Sequence, residues 1–419
     1  MSSLAPRARL GLVAAILVVV LGGGAYLLFF RGGDSGPVVE AGSRFGSEDK
    51  GGGGGSVLDT LAPVLGARQR APGAGSDPAP PSAAELLRAP GDAVAGLLVV
   101  GFPGTAPEGS FFARLAARPY GGVVLGRSNY VEPSQLAQLT AKVQQVARTA
   151  GHPAPIVSAQ QEGGDFNAFA NLAPDAQADV GARKPSEIRG AARVAGRQLK
   201  ALGIGMNLAP NADVAVAGGP AQGRAFADTA SRVVKAVKAS LEGYRRAGVA
   251  AAVGPFPGDG AASQDPSAGP APVGLGLEQL RHSDMTPFAA VAGAAPAIQM
   301  SNAIYSAYDS VTPATLLPEA VKELRDRLGF DGTIISADLV ATTATAGGSV
   351  GDAAINALKA GADMLFVPGG RAQQDEAYRA IVAGVASGAI SPERIIASLR
   401  RIAKLRELTR DAREPVLLG

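Results

Sequence analysis

Cysteine is absent from the chain, which excludes disulfides, thiolate metal sites, a cysteine nucleophile and a lipidated N-terminal cysteine, while leaving the compartment open. Histidine occurs twice, at His152 and His282, so any chemistry that needs an imidazole has two candidates. Charge is sparse. Only 18% of the 419 residues are charged and the formal net charge is +3, too weak and too dispersed for a nucleic-acid footprint. What is abundant is apolar residues, at 47%, together with 56 glycines and 30 prolines. That mixture supports a sizeable core and assigns much of the chain to loop and linker, in one large domain or two ordinary ones.

One uncharged run stands apart, Leu10 to Phe30 (LGLVAAILVVVLGGGAYLLFF), preceded by Arg7 and Arg9. As a helix it would span roughly 30 Å of hydrocarbon. The basic excess on its N-terminal side predicts a single-pass anchor over residues 1–31, with the N-terminus cytoplasmic and the rest of the chain extracytoplasmic. A cleaved signal peptide is the competing reading, since Gly22, Gly23, Gly24 and Ala25 are small; Leu27 to Phe30 continue the apolar run beyond them. Residues 32–83 read as a flexible spacer, with Gly51 to Gly55 in a row and the stretch Gly75-Ser-Asp-Pro-Ala-Pro-Pro-Ser82. Within it, Val57 to Leu65 is one apolar patch that could form a transient helix or dock on the folded part.

From residue 84 to 408, short apolar runs alternate with helical spacing, and residues 409–419 form a tail. The predicted strands are Gly96–Phe102, Gly122–Gly126, Ile156–Gln160, Gly205–Ala209, Val249–Phe256, Ala297–Asn302, Thr333–Asp338 and Ala362–Pro368. Several are unbroken apolar runs, as strands buried on both faces of a parallel sheet should be. Leu136, Leu139, Val143 and Val146 share a helix face after Pro133, and Ser391-Pro392-Glu393 opens a last helix. Eight strand–helix units predict an α/β (β/α)8 TIM-type barrel, whose chemistry sits at the carboxyl ends of the strands. The alternative is an open doubly wound sheet, but the turn Gly101-Phe102-Pro103-Gly104 lacks the glycine spacing of a nucleotide loop.

At those strand ends stand Gly101-Phe102-Pro103-Gly104, Gln161-Glu162-Gly163-Gly164, Asn207-Leu208-Ala209-Pro210-Asn211-Ala212-Asp213, Phe256-Pro257-Gly258 and Gly329-Phe330-Asp331-Gly332-Thr333-Ile334-Ile335-Ser336. In this order they resemble glycoside hydrolase family 3, and within it the bacterial β-N-acetylhexosaminidases that trim cell-wall amino sugars. The resemblance implies a retaining hydrolysis with a carboxylate nucleophile and a proton donor, and no cofactor or metal. It places the nucleophile directly after the serine of a Ser-Asp-Asp-Leu motif, where this chain has Ser336-Ala337-Asp338-Leu339. A methyl group forms no glycosyl ester. Asp338 matches the second aspartate and, on a strand, would point to the opposite face. The acid/base Asp–His pair of the resemblance corresponds to Asp265 and Ser267, and a hydroxyl does not shuttle protons as imidazole does. His152, in the turn before strand three, and His282, on the helix before strand six, are in no position to replace it.

The same comparison places sugar-binding groups at Gln160, Ala168, Gly254, Pro255 and Asn302, where family aspartate, arginine, lysine and histidine side chains are replaced. Arg224 matches the family's substrate-contacting arginine, with Asp213 as a second binding candidate upstream; an Arg224–Asp213 ion pair is the purely structural alternative. The sequence therefore predicts an exported, membrane-anchored pseudoenzyme that binds or scaffolds at the cell envelope, its partner a cell-wall glycan or an envelope protein. The alternative is an active β-N-acetylhexosaminidase that releases terminal N-acetylglucosamine, with Asp338 as nucleophile and Asp259 or Asp265 as acid.

Overall fold

The computed structural model describes residues 16–21, 24–29, 79–106 and 109–413. The chain divides into two units, Met1–Gly54 and Gly55–Gly419. In the first, Ile16–Leu21 and Gly24–Phe29 pair antiparallel, with Ile16 opposite Phe29 and Leu21 opposite Gly24. This corrects the expected continuous helix across Leu10–Phe30; the remainder of that run lies outside the described residues. The sequence supplies the reason. Ile16, Val18, Val19 and Val20 are β-branched, a composition that suits a strand. Among the described residues no helix is long and apolar enough to cross a membrane. The spacer and its Val57–Leu65 patch lie outside the described residues up to residue 78.

The second unit is a ring of eight parallel strands: β1 (Leu98–Val100), β2 (Gly122–Leu125), β3 (Ile156–Ala159), β4 (Met206–Asn207), β5 (Ala250–Phe256), β6 (Ala297–Met300), β7 (Thr333–Ile335) and β8 (Leu365–Val367). They follow one another in space in chain order, and β8 returns to pair with β1, Leu365 opposite Leu98. Between β7 and β8 the ring closes through one bridge, Ile335 to Met364, supported by Ser336 N–H to Met364 O at 2.9 Å and Phe366 N–H to Ser336 Oγ at 2.8 Å. All eight predicted strands are present. Every residue of β1, β3 and β7 is buried, as strands covered on both faces require.

Helices cover the outside: α1 (Gly109–Ala117), α2 (Pro133–Thr149), α3 (Pro185–Ala201), α4 (Ala230–Ala247), α5 (Leu339–Ala346), α6 (Val350–Ala360), α7 (Arg371–Ala386) and α8 (Pro392–Leu408). Proline occupies the first turn of α2, α3 and α8, where its missing N–H is no loss. Ser391 caps α8 by accepting from Arg394 N–H at 3.2 Å. On α3, Ile188, Ala192, Ala195 and Leu199 recur at helical spacing and are buried. Each such leucine or isoleucine contributes about 1.5–3 kcal/mol by leaving water.

Two loops at the mouth are joined. After β5, Pro272–Val273 pairs in parallel with Ile304–Tyr305, which follows β6. This small ladder fixes Tyr305 beneath the loop that follows β5.

Candidate active site

The carboxyl ends of the strands enclose a cavity of about 220 Å³. Its lining includes Gln160 and Glu162 after β3, Arg224 before α4, Gly254, Pro255, Asp259, Asp265 and Ser267 on and after β5, Ser301 and Asn302 after β6, and Ala337 and Asp338 after β7. A second cavity of about 290 Å³ adjoins it, sharing Gln160, Leu208 and Phe366 and bordered by Ala168. The fold thus brings the candidate residues to one rim, with Asp213 just behind it.

Arg224 does not pair with Asp213. Its Nε donates to Glu162 Oε2 at 2.5 Å and its Nη2 to Glu162 Oε1 at 2.6 Å, a bidentate clamp on a carboxylate that is 4% exposed. Gln160 Nε2 adds a 2.7 Å bond to Glu162 Oε1. The alternative of an Arg224–Asp213 ion pair is not formed: Glu162 takes Nε and Nη2, and Asp213 is engaged elsewhere. Asp213 Oδ2 accepts from Asn211 Nδ2 at 2.8 Å and Oδ1 from the Asp259 N–H at 2.6 Å. Burial opposes the charge on Arg224, but Glu162, Asp213 and Asp259 outweigh it and hold its pKa above the ordinary value. Gly163, at φ 130°, shapes the turn that aims Glu162; a Cβ there would run into the Asp175 carbonyl.

Asp259, also in the lining, is buried at 7% exposure. Its Oδ1 accepts from Ser301 Oγ at 2.5 Å and from the Tyr305 hydroxyl at 2.9 Å. Burial pushes its pKa up to about 6, with Asp265 adding repulsion and Ser301, Tyr305 and Arg224 opposing it. Burial and the neighbouring Asp259 raise Asp213 as well, so the two carboxyls titrate as a pair. Gly260 permits this approach, since a side chain there would strike the Val214 carbonyl.

Ala337 puts a buried methyl group into the lining, its N–H donating to Thr315 Oγ1 at 3.0 Å. Asp338 is not on the strand. β7 ends at Ile335, and Asp338 caps α5, its Oδ1 accepting from Val340 N–H at 2.8 Å and Ala341 N–H at 3.2 Å. It lines the same cavity as Ala337, which corrects the expectation of opposite faces, and burial raises its pKa. Asn302 links β6 to α5, donating to Asp338 O at 3.1 Å and accepting from Thr342 Oγ1 at 2.7 Å. On the exposed loop after β5, Asp265 Oδ1 accepts from Ser267 N–H at 2.8 Å and Ser267 Oγ at 2.7 Å. His152 bonds the Ala116 carbonyl and His282 the Glu278 carbonyl, both outside the cavity lining.

Sequence reasoning missed the roles of Glu162, Ser301 and Tyr305. Glu162 carried a signal, an acid beside Gly163-Gly164 at a strand end. Ser301 and Tyr305 carried none, because only the ladder between the two loops brings them to Asp259.

A model of the glycosyl hydrolase family 3 N terminal domain matches residues 94–405. The chain is 31% identical over 322 residues to a beta-hexosaminidase of Methylococcus capsulatus, covering 75% of this chain and 91% of that protein. To an uncharacterized secreted glycosyl hydrolase of Arthroderma benhamiae it is 30% identical over 318 residues, covering 73% and 89%. Among solved structures it resembles a glycoside hydrolase family 3 beta-N-acetylglucosaminidase from a Paenibacillus species, with a TM-score of 0.73 at 31% identity, covering 77% of this chain and 62% of that one. A beta-N-acetylhexosaminidase from Beutenbergia cavernae gives 0.70 at 26% identity, covering 76% and 98%.

Proposed function

The chain belongs to glycosyl hydrolase family 3, and from that premise we propose that it is a β-N-acetylhexosaminidase-type barrel that holds a glycan at its mouth without cleaving it. The observation that carries this reading is the end of β7. A retaining cleavage needs a carboxylate beneath the anomeric carbon and a proton donor roughly 5 Å away. Ala337 offers a methyl group at the matching position, and Asp338 beside it caps the first turn of α5 through Oδ1. The Asp265–Ser267 pair keeps the hydrogen-bonded geometry of a dyad, but its second member is a hydroxyl with no proton to exchange near neutrality. Glycoside hydrolysis asks these groups for many kilocalories of transition-state stabilisation, which a methyl and a hydroxyl at the two positions do not supply.

The position at the cell envelope is part of the same proposal. It rests on Arg7 and Arg9 ahead of the apolar run and on the likeness to a secreted glycosyl hydrolase. Fractionation with protease protection of intact cells tests it, protection of the barrel speaking against export.

The activity reading is tested with an aryl N-acetyl-β-glucosaminide and the purified full chain. No aryl alcohol is released above a blank, and a fluorosugar leaves no covalent adduct by mass spectrometry. Turnover that Asp338→Ala abolishes would instead establish the active alternative, with Asp259 or Asp265 as acid.

A further inference from the structure

The charge around the cavity is one-sided. Among its lining residues Arg224 is the one cation, against Glu162, Asp259, Asp265 and Asp338. Glu162 takes up two arms of the Arg224 guanidinium, leaving three carboxyls with no cationic partner of their own. These three share a pattern. Each holds its Oδ1 with two donors: Ser301 and Tyr305 on Asp259, the N–H and Oγ of Ser267 on Asp265, and the N–H groups of Val340 and Ala341 on Asp338. None of the described residues donates to Oδ2 of any of them. Asp259 is more than nine-tenths buried, lines the cavity, and keeps that oxygen in contact with solvent. Among the described residues no three acids or imidazoles stand close enough to hold one metal ion, so the arrangement suits an extended organic cation.

Resting on the glycan-binding reading above, we propose that the mouth receives a cationic amino sugar, a glucosamine unit whose nitrogen is a free ammonium, held against Oδ2 of Asp259. An acetamide brings a donor but no charge. An ammonium brings three donors and a full positive charge to a rim where carboxyls outnumber the one arginine and Asp259 is buried. Oδ2 of Asp265 and of Asp338 remain to accept from ring hydroxyls.

The groups that face Asp259 are Asp213 and Arg224 from the loop after β4, Asp265 on its own loop, Asp284 against Gly258, and Tyr305 after β6. Burial holds the Asp259–Asp213 pair protonated above the usual carboxylate range, so affinity for an ammonium rises as the pair ionises from acid toward neutral pH.

Titration calorimetry on the full chain tests this with three probes: a β-1,4-linked glucosamine disaccharide, its N-acetylated counterpart and free glucosamine. At about pH 7 the amine disaccharide binds about tenfold tighter than the acetylated one, the advantage a charge-assisted bond confers. The advantage shrinks at about pH 5 and vanishes in Asp259→Asn. Should that variant misfold, Asp265→Asn on the exposed loop reads the same charge with a smaller loss. Free glucosamine binding as tightly as the disaccharide identifies the free sugar as the source, and weaker binding identifies a de-N-acetylated glycan end; either supports the proposal. Equal or tighter binding of the acetylated probe, or no binding of the amine, overturns it. Those results leave the non-hydrolytic reading standing, whereas release of an aryl alcohol removes that reading and leaves the charge preference intact.

Discussion

The barrel carries a charged cluster at each end, and the two are built on opposite terms. At the amino end of β8, Asp363 is fully buried and surrounded by guanidiniums: Arg325 Nη2 at 2.6 Å on Oδ2, with Arg401 at 3.3 Å and Arg394 at 3.4 Å on Oδ1. Ser398 Oγ and the Ile334 N–H complete its shell. Burial, aided by Arg401 and Arg394, pulls Arg325 down to about 10 while Asp363 holds it up. At the mouth, one arginine faces four lining carboxyls and three of these keep an unbonded oxygen. Asp363 has both oxygens hydrogen-bonded within the chain, whereas Asp259, Asp265 and Asp338 each keep one with no donor among the described residues. The two ends differ in this rather than in burial, since Asp259 and Asp363 are both buried.

Substitutions sharpen that contrast. The largest effect is expected from Asp363→Ala, which leaves three guanidiniums facing one another without their anion and lowers stability by about 3–5 kcal/mol in urea unfolding. At the mouth the sign is reversed. Asp259 has a folded pKa raised from 3.8 to about 6, so the folded chain binds the proton more tightly and stability falls as pH rises through that window. Asp259→Asn flattens that part of the profile of midpoint against pH. If instead the variant lost stability at every pH, the carboxyl would belong with Asp363 as a structural group. Glu162→Gln weakens the clamp on Arg224 and costs about 2 kcal/mol by the same assay. The smallest effect is Ser391→Ala, about 1 kcal/mol for a lost helix cap. It loosens the turn that aims Arg394 at Asp363 and leaves ligand binding at the mouth unchanged.

Much of the ring was legible in the sequence because its strands are unbroken apolar runs punctuated by Gly, Pro and capping residues. Those are local signals, and Leu98–Val100 or Thr333–Ile335 carry them without help from the rest of the fold. The rim residues were legible one by one, as substitutions within motifs, but their partners were not. Arg224 turns to Glu162, 62 positions earlier, because two strand ends converge there. Asp338 becomes a helix cap because β7 stops three residues sooner than its apolar run suggests. The apolar stretch near the N-terminus has helical length and strand composition together. There hydropathy and β-branching point in different directions, and the described residues follow the branching.

The closing stitch of the ring has a consequence for how the chain comes to be folded. Leu98 finds its outer neighbour only in Leu365, so the first strand waits with one flank bare through nearly the whole synthesis of the barrel. Contacts so distant in sequence form late, and an uncovered apolar edge invites pairing with another chain in the meantime. A polypeptide halted before Leu365 therefore gives no smaller cylinder. It gives an open, adhesive sheet, and the last tenth or so of the molecule is what makes the preceding strands soluble.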